Sequence, residues 1–353
     1  MRRRHLEALA PRCPVCRSAT PLRLARVLRE HDEHLVEGWL ACDAPNCQRE
    51  YPILDGIAQF APDLRAHVEG QLLSFLARDD LHELSESWIG DCAGPQSNFD
   101  ALRQHVSNYA WDHYAEFDPH AGEPTDRASS ILGVLDALWP HVGALPEGPL
   151  LEVGCSVGRV AFELAARTQR LVLGADLHQA KLRVAQRVLR EQRVRFPLRR
   201  VGVVFERREF DVAFEGAERV DFWSLDASRA PFADGSFAAI VALNVLDSTH
   251  APLELLRSCS RLLKPGGVLV LACPYDWSPS AAPLDAWFGG HSQRGPLAGA
   301  SEAVLRSALG ASADESLAKL RLERELDDLE WRVRLHERSV MHYRLHAVIA
   351  RQS

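Results

Sequence analysis

Two short cysteine pairs open the chain, Cys13-Pro-Val-Cys16 and Cys42-Asp-Ala-Pro-Asn-Cys47. Four thiolates in two pairs, a few dozen residues apart, suit a tetrahedral zinc site. Sulfur fills all four positions, so the expected role is structural, because a catalytic zinc keeps a position open. A second constellation lies in LLEVGCSVGRVAFELA. Here an acid, Glu152, sits just before a turn that carries Gly154 and Gly158, with Ser156 where a middle glycine would stand. Glycine lets a backbone approach a ligand closely. Asp176 follows about 20 residues later, the spacing at which an acid meets ribose hydroxyls. Asp226, followed by Ala227, ends a further strand and supplies an acceptor for an adenine edge.

These residues need a scaffold, and the pattern around them supplies one. GPLLEVG, RLVLGAD, ERVDFWSLDA, SFAAIVALNV and VLVLACPY read as strands. RVAFELAARTQ, HQAKLRVAQRVLREQ and APLELLRSCSRLLKPGG read as intervening helices. This alternation predicts an α/β fold, a doubly wound Rossmann-like sheet covered by helices on both faces. DLEWRVRLHERS and MHYRLHAVIAR form an expected antiparallel pair at the end. The charged SEAVLRSALGASADESLAKLRLERELDDLE reads as a solvated helical face. Upstream, LRAHVEGQLLSFLARDDLHELSESW, FDALRQHVSNYAWDHYAEF and RASSILGVLDALW carry helical periodicity. The expected organisation is a zinc-ribbon-like domain over 1–62, a helical lead-in or lid over 63–148, and a nucleotide-binding domain over 149–353. Tyr109, His113 and Tyr114 of the lead-in either close over the pocket or pack in the core, and packing is the simpler expectation. Cys92, Cys155, Cys259 and Cys273 read as core thiols.

The series of strand-end acids and the glycine turn resembles the class I S-adenosylmethionine-dependent methyltransferases over roughly the C-terminal two-thirds of the chain. A dinucleotide dehydrogenase more often shows the full G-x-G-x-x-G. Within the class, EVGCSVGRVAFELA resembles the C-terminal methyltransferase domain of ovothiol-biosynthesis enzymes, which methylates a ring nitrogen of 5-mercaptohistidine. LNVLDS is similar to that family's Asn-hydrophobic-hydrophobic-Asp element, at Asn244 and Asp247. CPYDWSPSAAPLDAWFGG is similar to its Pro-Tyr-x-Trp and Trp-x-Gly-Gly elements, at Pro274, Tyr275, Trp277, Trp287, Gly289 and Gly290. VRFPLRRVGVVFE is similar to its insertion after the second helix, and WRVRLHERSVMH to a tail with arginines at Arg334 and Arg338. Leu335 stands where that family has an acid, and a cysteine module stands in place of its iron-dependent sulfoxide synthase module. YPILDGIAQF resembles the ending of zinc ribbons on some methyltransferases and their activators.

The resemblance implies an S-adenosylmethionine-dependent N-methyltransferase acting on a thio- or seleno-histidine-type small molecule. Methyl transfer from a sulfonium is an in-line displacement whose donor is already activated, so the protein mainly positions the nucleophile. The expected cofactor residues are Glu152, Gly154, Ser156, Gly158, Asp176, Asp226, Ala227 and Asn244. Asp247 is the candidate acceptor for the other ring N–H, with Asn244 as a polar orienter and Tyr275 beside them; Asp247 would otherwise cap the following helix. Tyr275 and Trp277 form an expected aromatic wall, or else pack at a strand end. Arg334 and Arg338, four apart on one strand face, would hold a carboxylate by forked hydrogen bonds, or else lie solvated.

Composition limits the alternatives. The net charge is −7 over 353 residues, which weighs against nucleic acid as partner. RNA methylation with the cysteine module as reader remains the alternative, on the local basic patches MRRRHLEALAPR and FPLRRVG. No apolar run is long enough to span a membrane, and the basic start lacks a signal-peptide apolar region; the expectation is a cytoplasmic protein.

Overall fold

A computed structural model describes residues 1–76, 82–121, 130–295, 297–310 and 317–353. The parts of the expected helices at 77–81, 127–129 and 311–316 lie outside the described residues.

The centre is a run of short apolar strands alternating with amphipathic helices. The strands are β5 (Leu150–Val153), β6 (Val172–Asp176), β9 (Val220–Leu225), β10 (Phe237–Leu243) and β11 (Leu263–Cys273). Buried on both faces, they have lost the polar alternation of a half-solvated strand. Between them run α7 (Arg159–Thr168), α8 (Gln179–Glu191) and α9 (Pro252–Leu262). The chain closes with β12 (Leu320–His336) and β13 (Ser339–Gln352), paired antiparallel from Leu320↔Gln352 to His336↔Ser339. The order β9-β6-β5-β10-β11-β13-β12 reverses direction between β5 and β10. A ligand crevice opens where an α/β sheet reverses in this way.

The cysteine segment contributes α1 (Arg3–Leu9) and the strands β1 (Arg23–His31), β2 (His34–Ala41), β3 (Glu50–Leu54) and β4 (Ile57–Phe60). These strands are not a separate sheet. β4 lies parallel to β9, with Gln59 opposite Ser224 and Phe60 opposite Leu225, so the described residues form one sheet of eleven strands. After β4 come α2 (Leu64–Gly70), α3 (Leu72–Leu76), α4 (Glu83–Ala93), α5 (Asn98–Tyr114) and α6 (Ser130–Leu138). The segment similar to the family's insertion forms a separate hairpin, β7 (Arg193–Val201) and β8 (Val204–Asp211).

Hydrophobic layers cover both faces. One joins α5, α6, α7, α8 and β7 to the sheet through residues such as Leu135, Val160, Leu182 and Phe196. The other packs α9, α10 (Ser301–Gly310) and the cysteine segment against it through Leu256, Leu305, Tyr51 and Phe60.

Three expectations need correction. The charged stretch from Leu320 onward is an edge strand rather than a helix. Its bulges between Leu322 and Arg324 and between Leu326 and Leu329 break the two-residue alternation, and charge on an edge strand discourages further pairing. β11 begins at Leu263, so the Pro-Gly-Gly that was read with the preceding helix lies within this strand. Cys92 is exposed, whereas Cys155, Cys259 and Cys273 are core thiols as expected.

Candidate active site

A cavity of about 1010 Å³ lies over the carboxyl ends of β5, β6, β9 and β10. Glu152, Gly154, Ser156, Asp176, Asp226, Ala227 and Asn244 all line it. Each sits at a strand end or in the turn after it, which explains how residues spread over about a hundred positions meet.

The turn after β5 is built by mutual support. Gly154 has φ +73° and a Cβ there would lie 2.9 Å from the Val245 side chain. Ser156, in the place of the middle glycine, is itself left-handed at φ 53°. Its backbone N–H donates to Asp176 Oδ2 at 2.9 Å, while Asp176 Oδ1 accepts from His178 N–H at 2.7 Å. Asp176 therefore locks the turn while facing the cavity. Gly158 is not on the cavity wall. Its φ is +93° and a Cβ would lie 2.5 Å from Phe222 Cζ, so close packing of α7 on β9 demands this glycine. Asp226 accepts from the backbone N–H and hydroxyl of Ser228 through Oδ1, at 2.9 and 2.6 Å.

Several buried polar atoms at this cavity have no protein partner: Glu152 Oε2, Ser156 Oγ and both amide atoms of Asn244. Leaving such an atom unpaired costs on the order of 1–3 kcal/mol. Asn244 is also left-handed, at φ 56°, a strain that surrounding structure must hold in place. Burial first, then the neighbouring Asp176, pushes the Glu152 carboxyl up to about 8. The wall thus offers acids and amide groups to hydroxyls, an amine or a cation. These are the groups presented by S-adenosylmethionine, so the residues fit that cofactor.

The remaining expected residues lie elsewhere. Asp247 is buried in a short turn, and its Oδ2 accepts the backbone N–H of Asp276 at 2.7 Å while Ser248 Oγ donates to Oδ1. It does not cap α9, whose N-cap is Ala251. Tyr275 stacks beside Trp277 and His346, with 2.7 Å between its hydroxyl and His346 Nδ1. Trp277 donates to Ser301 Oγ at 3.0 Å and stacks on Trp287. These aromatics pack the end of β11, and neither lines the cavity. Arg334 lies over the Trp111 ring at 5.7 Å. β12 ends at His336, so Arg338 falls in the hairpin turn and the two arginines do not share a strand face.

The roof holds residues that the sequence reading passed over or read as packing. Asn98, His105, Tyr109 and His113 project from one face of α5 into the cavity, joined by Lys181 and Trp331. Tyr114 alone follows the packing expectation, its buried hydroxyl donating to Val157 O at 2.6 Å. No local signal pointed to them, because a polar stripe along a helix ordinarily reads as its solvated face. At the other end of the roof, Gln71 donates to Leu177 O at 2.7 Å and accepts from Gln179 N–H at 3.0 Å.

The four cysteines converge as their spacing predicts. Their sulfurs all lie within 4.8 Å of one another, with Cys13–Cys47 and Cys16–Cys42 at 3.6 Å. Zn–S bonds of about 2.3 Å place tetrahedral sulfurs roughly 3.8 Å apart, so the group matches a metal clip in composition and in span.

Comparison with known proteins finds similarity to methyltransferases. Residues 151–271 match the family model described as a methyltransferase domain. The chain is 30% identical to the methyltransferase GfsG of Streptomyces halstedii over 162 residues, 45% of this chain and 49% of that protein. It is 29% identical to the ubiquinone biosynthesis O-methyltransferase of Histophilus somni over 160 residues, 45% of this chain and 56% of that one. It thus spans about half the length of these curated relatives. A solved structure of Haemonchus contortus phosphoethanolamine N-methyltransferase 2, with phosphomonomethylethanolamine and S-adenosylhomocysteine, is 24% identical at a TM-score of 0.31. The match covers 40% of this chain and 28% of that one. The stretch similar to a methyltransferase domain, residues 151–271, is the part of the chain that forms the Rossmann-like centre of the sheet. No described helix is long and apolar enough to cross a membrane.

Proposed function

We propose that the protein transfers a methyl group from S-adenosylmethionine to a ring nitrogen of a thio- or seleno-histidine-type small molecule. The observation that carries the cofactor half is the set of unpartnered buried atoms on Glu152, Ser156 and Asn244 around one cavity. Asp176 and Asp226 keep acceptor capacity toward that cavity for ribose hydroxyls and an adenine amine. The cavity is at the upper end of the range of about 300–1,000 Å³ common for small-molecule sites. That leaves room for a small acceptor beside the cofactor. The finer substrate rests on the resemblance of the Asn244–Asp247 and Tyr275–Trp277 elements to mercaptohistidine methyltransferases.

When bound, S-adenosylmethionine supplies a methyl group on an already electrophilic sulfonium. The protein's part is then to orient and to exclude water. The neutral ring nitrogen that attacks brings its own lone pair, so no strong base is required at that atom, and the proton on the other nitrogen leaves to water. The Tyr109 and Trp331 rings, with centroids 6.4 Å apart, offer flat apolar surface for such a ring. Asp247 holds the backbone after β11 through Asp276, and so acts as a positioning residue for the loop that begins at Tyr275. Zinc held by Cys13, Cys16, Cys42 and Cys47 would clip the N-terminal strands together and takes no part in transfer.

The test is methyl transfer from labelled S-adenosylmethionine to 5-mercaptohistidine, its selenium analogue, histidine and total RNA, side by side. Label on a histidine derivative is the expected result. Label on RNA alone overturns the substrate and makes the cysteine module its reader.

A further inference from the structure

The cavity is electrically polarised. Its floor is acidic: Glu152, Asp176 and Asp226 stand at the ends of β5, β6 and β9. The part of its roof formed by α5 carries the opposite character, while Glu69 lines the end near α2. The inward face of α5 presents Asn98, His105, Tyr109 and His113 and no acid. Lys181 rises from the first turn of α8 to meet this face, its ammonium 3.7 Å from the centre of the Tyr109 ring. Among the described residues Lys181 makes no ion pair, and it is the one lysine or arginine lining the cavity.

His113 adds a fixed donor. Its Nδ1 accepts the backbone N–H of Arg159 at 3.3 Å, so the ring hydrogen of the neutral tautomer sits on Nε2. The neighbouring imidazoles stay neutral. Burial first, then Arg159 and Lys181, pulls His113 down to about 3. Burial and then Lys181 pull His178 down to about 4, and the same two causes lower His105. The roof therefore sets the Lys181 ammonium beside neutral N–H donors and flat rings.

We propose that Lys181 is the counter-ion for a carboxylate on the methyl acceptor, which makes the acceptor a flat, anionic small molecule held against the roof. This rests on the reading of the cavity as a methyl-transfer site and deepens it. It gives the carboxylate-holding task, expected of Arg334 and Arg338, to a residue that faces the cavity. An ammonium on the face of a tyrosine is partly shielded from water by the ring, so an incoming carboxylate displaces less water from it. The carboxylates of Asp176 and Asp226 on the floor repel the same carboxylate, so the acceptor is oriented as well as bound.

The test uses protein saturated with S-adenosylhomocysteine and titrated calorimetrically with imidazole-4-acetate and imidazole-4-acetamide, and with benzoate and benzamide. Each carboxylate should bind at least about tenfold more tightly than its amide, as a charge-assisted contact implies. Lys181→Met should erase that preference and leave S-adenosylhomocysteine affinity within about twofold. Lys181→Arg should keep the preference, which separates lost charge from lost fold. Equal binding of acid and amide by the unaltered protein, or binding of neither, overturns the proposal. So does a large loss of S-adenosylhomocysteine affinity in Lys181→Met, which would assign the ammonium to the cofactor's own carboxylate. If methyl transfer to mercaptohistidine fails while the carboxylate preference stands, the histidine-type substrate is wrong and the anionic acceptor survives.

Discussion

The chemistry of Glu152 is altered by its place in the fold. Burial, and then the charge of Asp176, lifts its carboxyl to about 8. The free folded protein therefore holds a proton there at pH 7, while an unfolded chain gives it up above about 4.5. Stability from this group is complete below the unfolded value and is lost as pH rises toward 8. Glu152→Gln, which cannot titrate, should flatten the fall in denaturation midpoint of the free protein between about pH 5 and 8. A cation entering the cavity favours the ionised carboxylate, so cofactor binding should release a proton and tighten with rising pH. Calorimetry in two buffers of different ionisation enthalpy reads that proton. Identical heats in both, with unchanged affinity in Glu152→Gln, would remove Glu152 from the site. The identity of Glu152 as a site residue is legible in the sequence, because an acid before a glycine turn is a local pattern. Its raised affinity for a proton is not, because that follows from burial beside Asp176, 24 positions along the chain.

At the scale of elements, α2 and α3 close one end of the cavity and grip the loop after β6. Gln71 makes two bonds to that loop, at Leu177 O and Gln179 N–H, next to the acid Asp176. A fully buried Gln59 on β4 extends the contact, donating to Gln179 Oε1 at 3.0 Å and lying 3.2 Å from His67 Nε2 through its own oxygen. Gln71→Ala should weaken S-adenosylhomocysteine binding about three- to tenfold, near 1 kcal/mol. The melting temperature should move by only a few degrees. A large fall in melting temperature with unchanged affinity would make the grip purely structural. The helices here were readable from their periodicity. Which face turns inward was not, because the polar stripe of α5 and Gln71 look like solvated faces until the sheet is placed beneath them. The opposite error occurred in β12, where charge at irregular spacing resembled a helix until β13 paired with it.

Across the whole molecule, the cysteine module and the methyltransferase sheet are continuous through β4 and β9. Tyr51 and Phe60 of the module sit in the same apolar layer as Trp223 and Leu225 of β9, with the Phe60 and Trp223 rings 5.4 Å apart. Loss of the clip should therefore be felt at the sheet. Cys13→Ser with Cys16→Ser should remove stoichiometric zinc by elemental analysis and lower the temperature of a single, shared calorimetric transition, because a structural metal supplies folding energy. Retained metal would refute the clip. A separate low-temperature transition, with the main one unmoved, would show the module to be thermally independent of the sheet.

The sequence alone determined the features that depend on neighbours in the chain. The glycine turn and its acids, the strand–helix alternation, and the paired cysteines are local patterns with fixed spacing, and each appears in the structure where its residues predicted. Only the tertiary structure decided which side chains share a cavity. Asn244 reached it, whereas Asp247, Tyr275 and Trp277 turned behind it to pack the end of β11. Lys181 entered it from a helix that reads as an ordinary amphipathic one. The reason is geometric: a strand end fixes where one residue points, but the residue after it turns with the loop, and the loop's path is set by packing across the sheet.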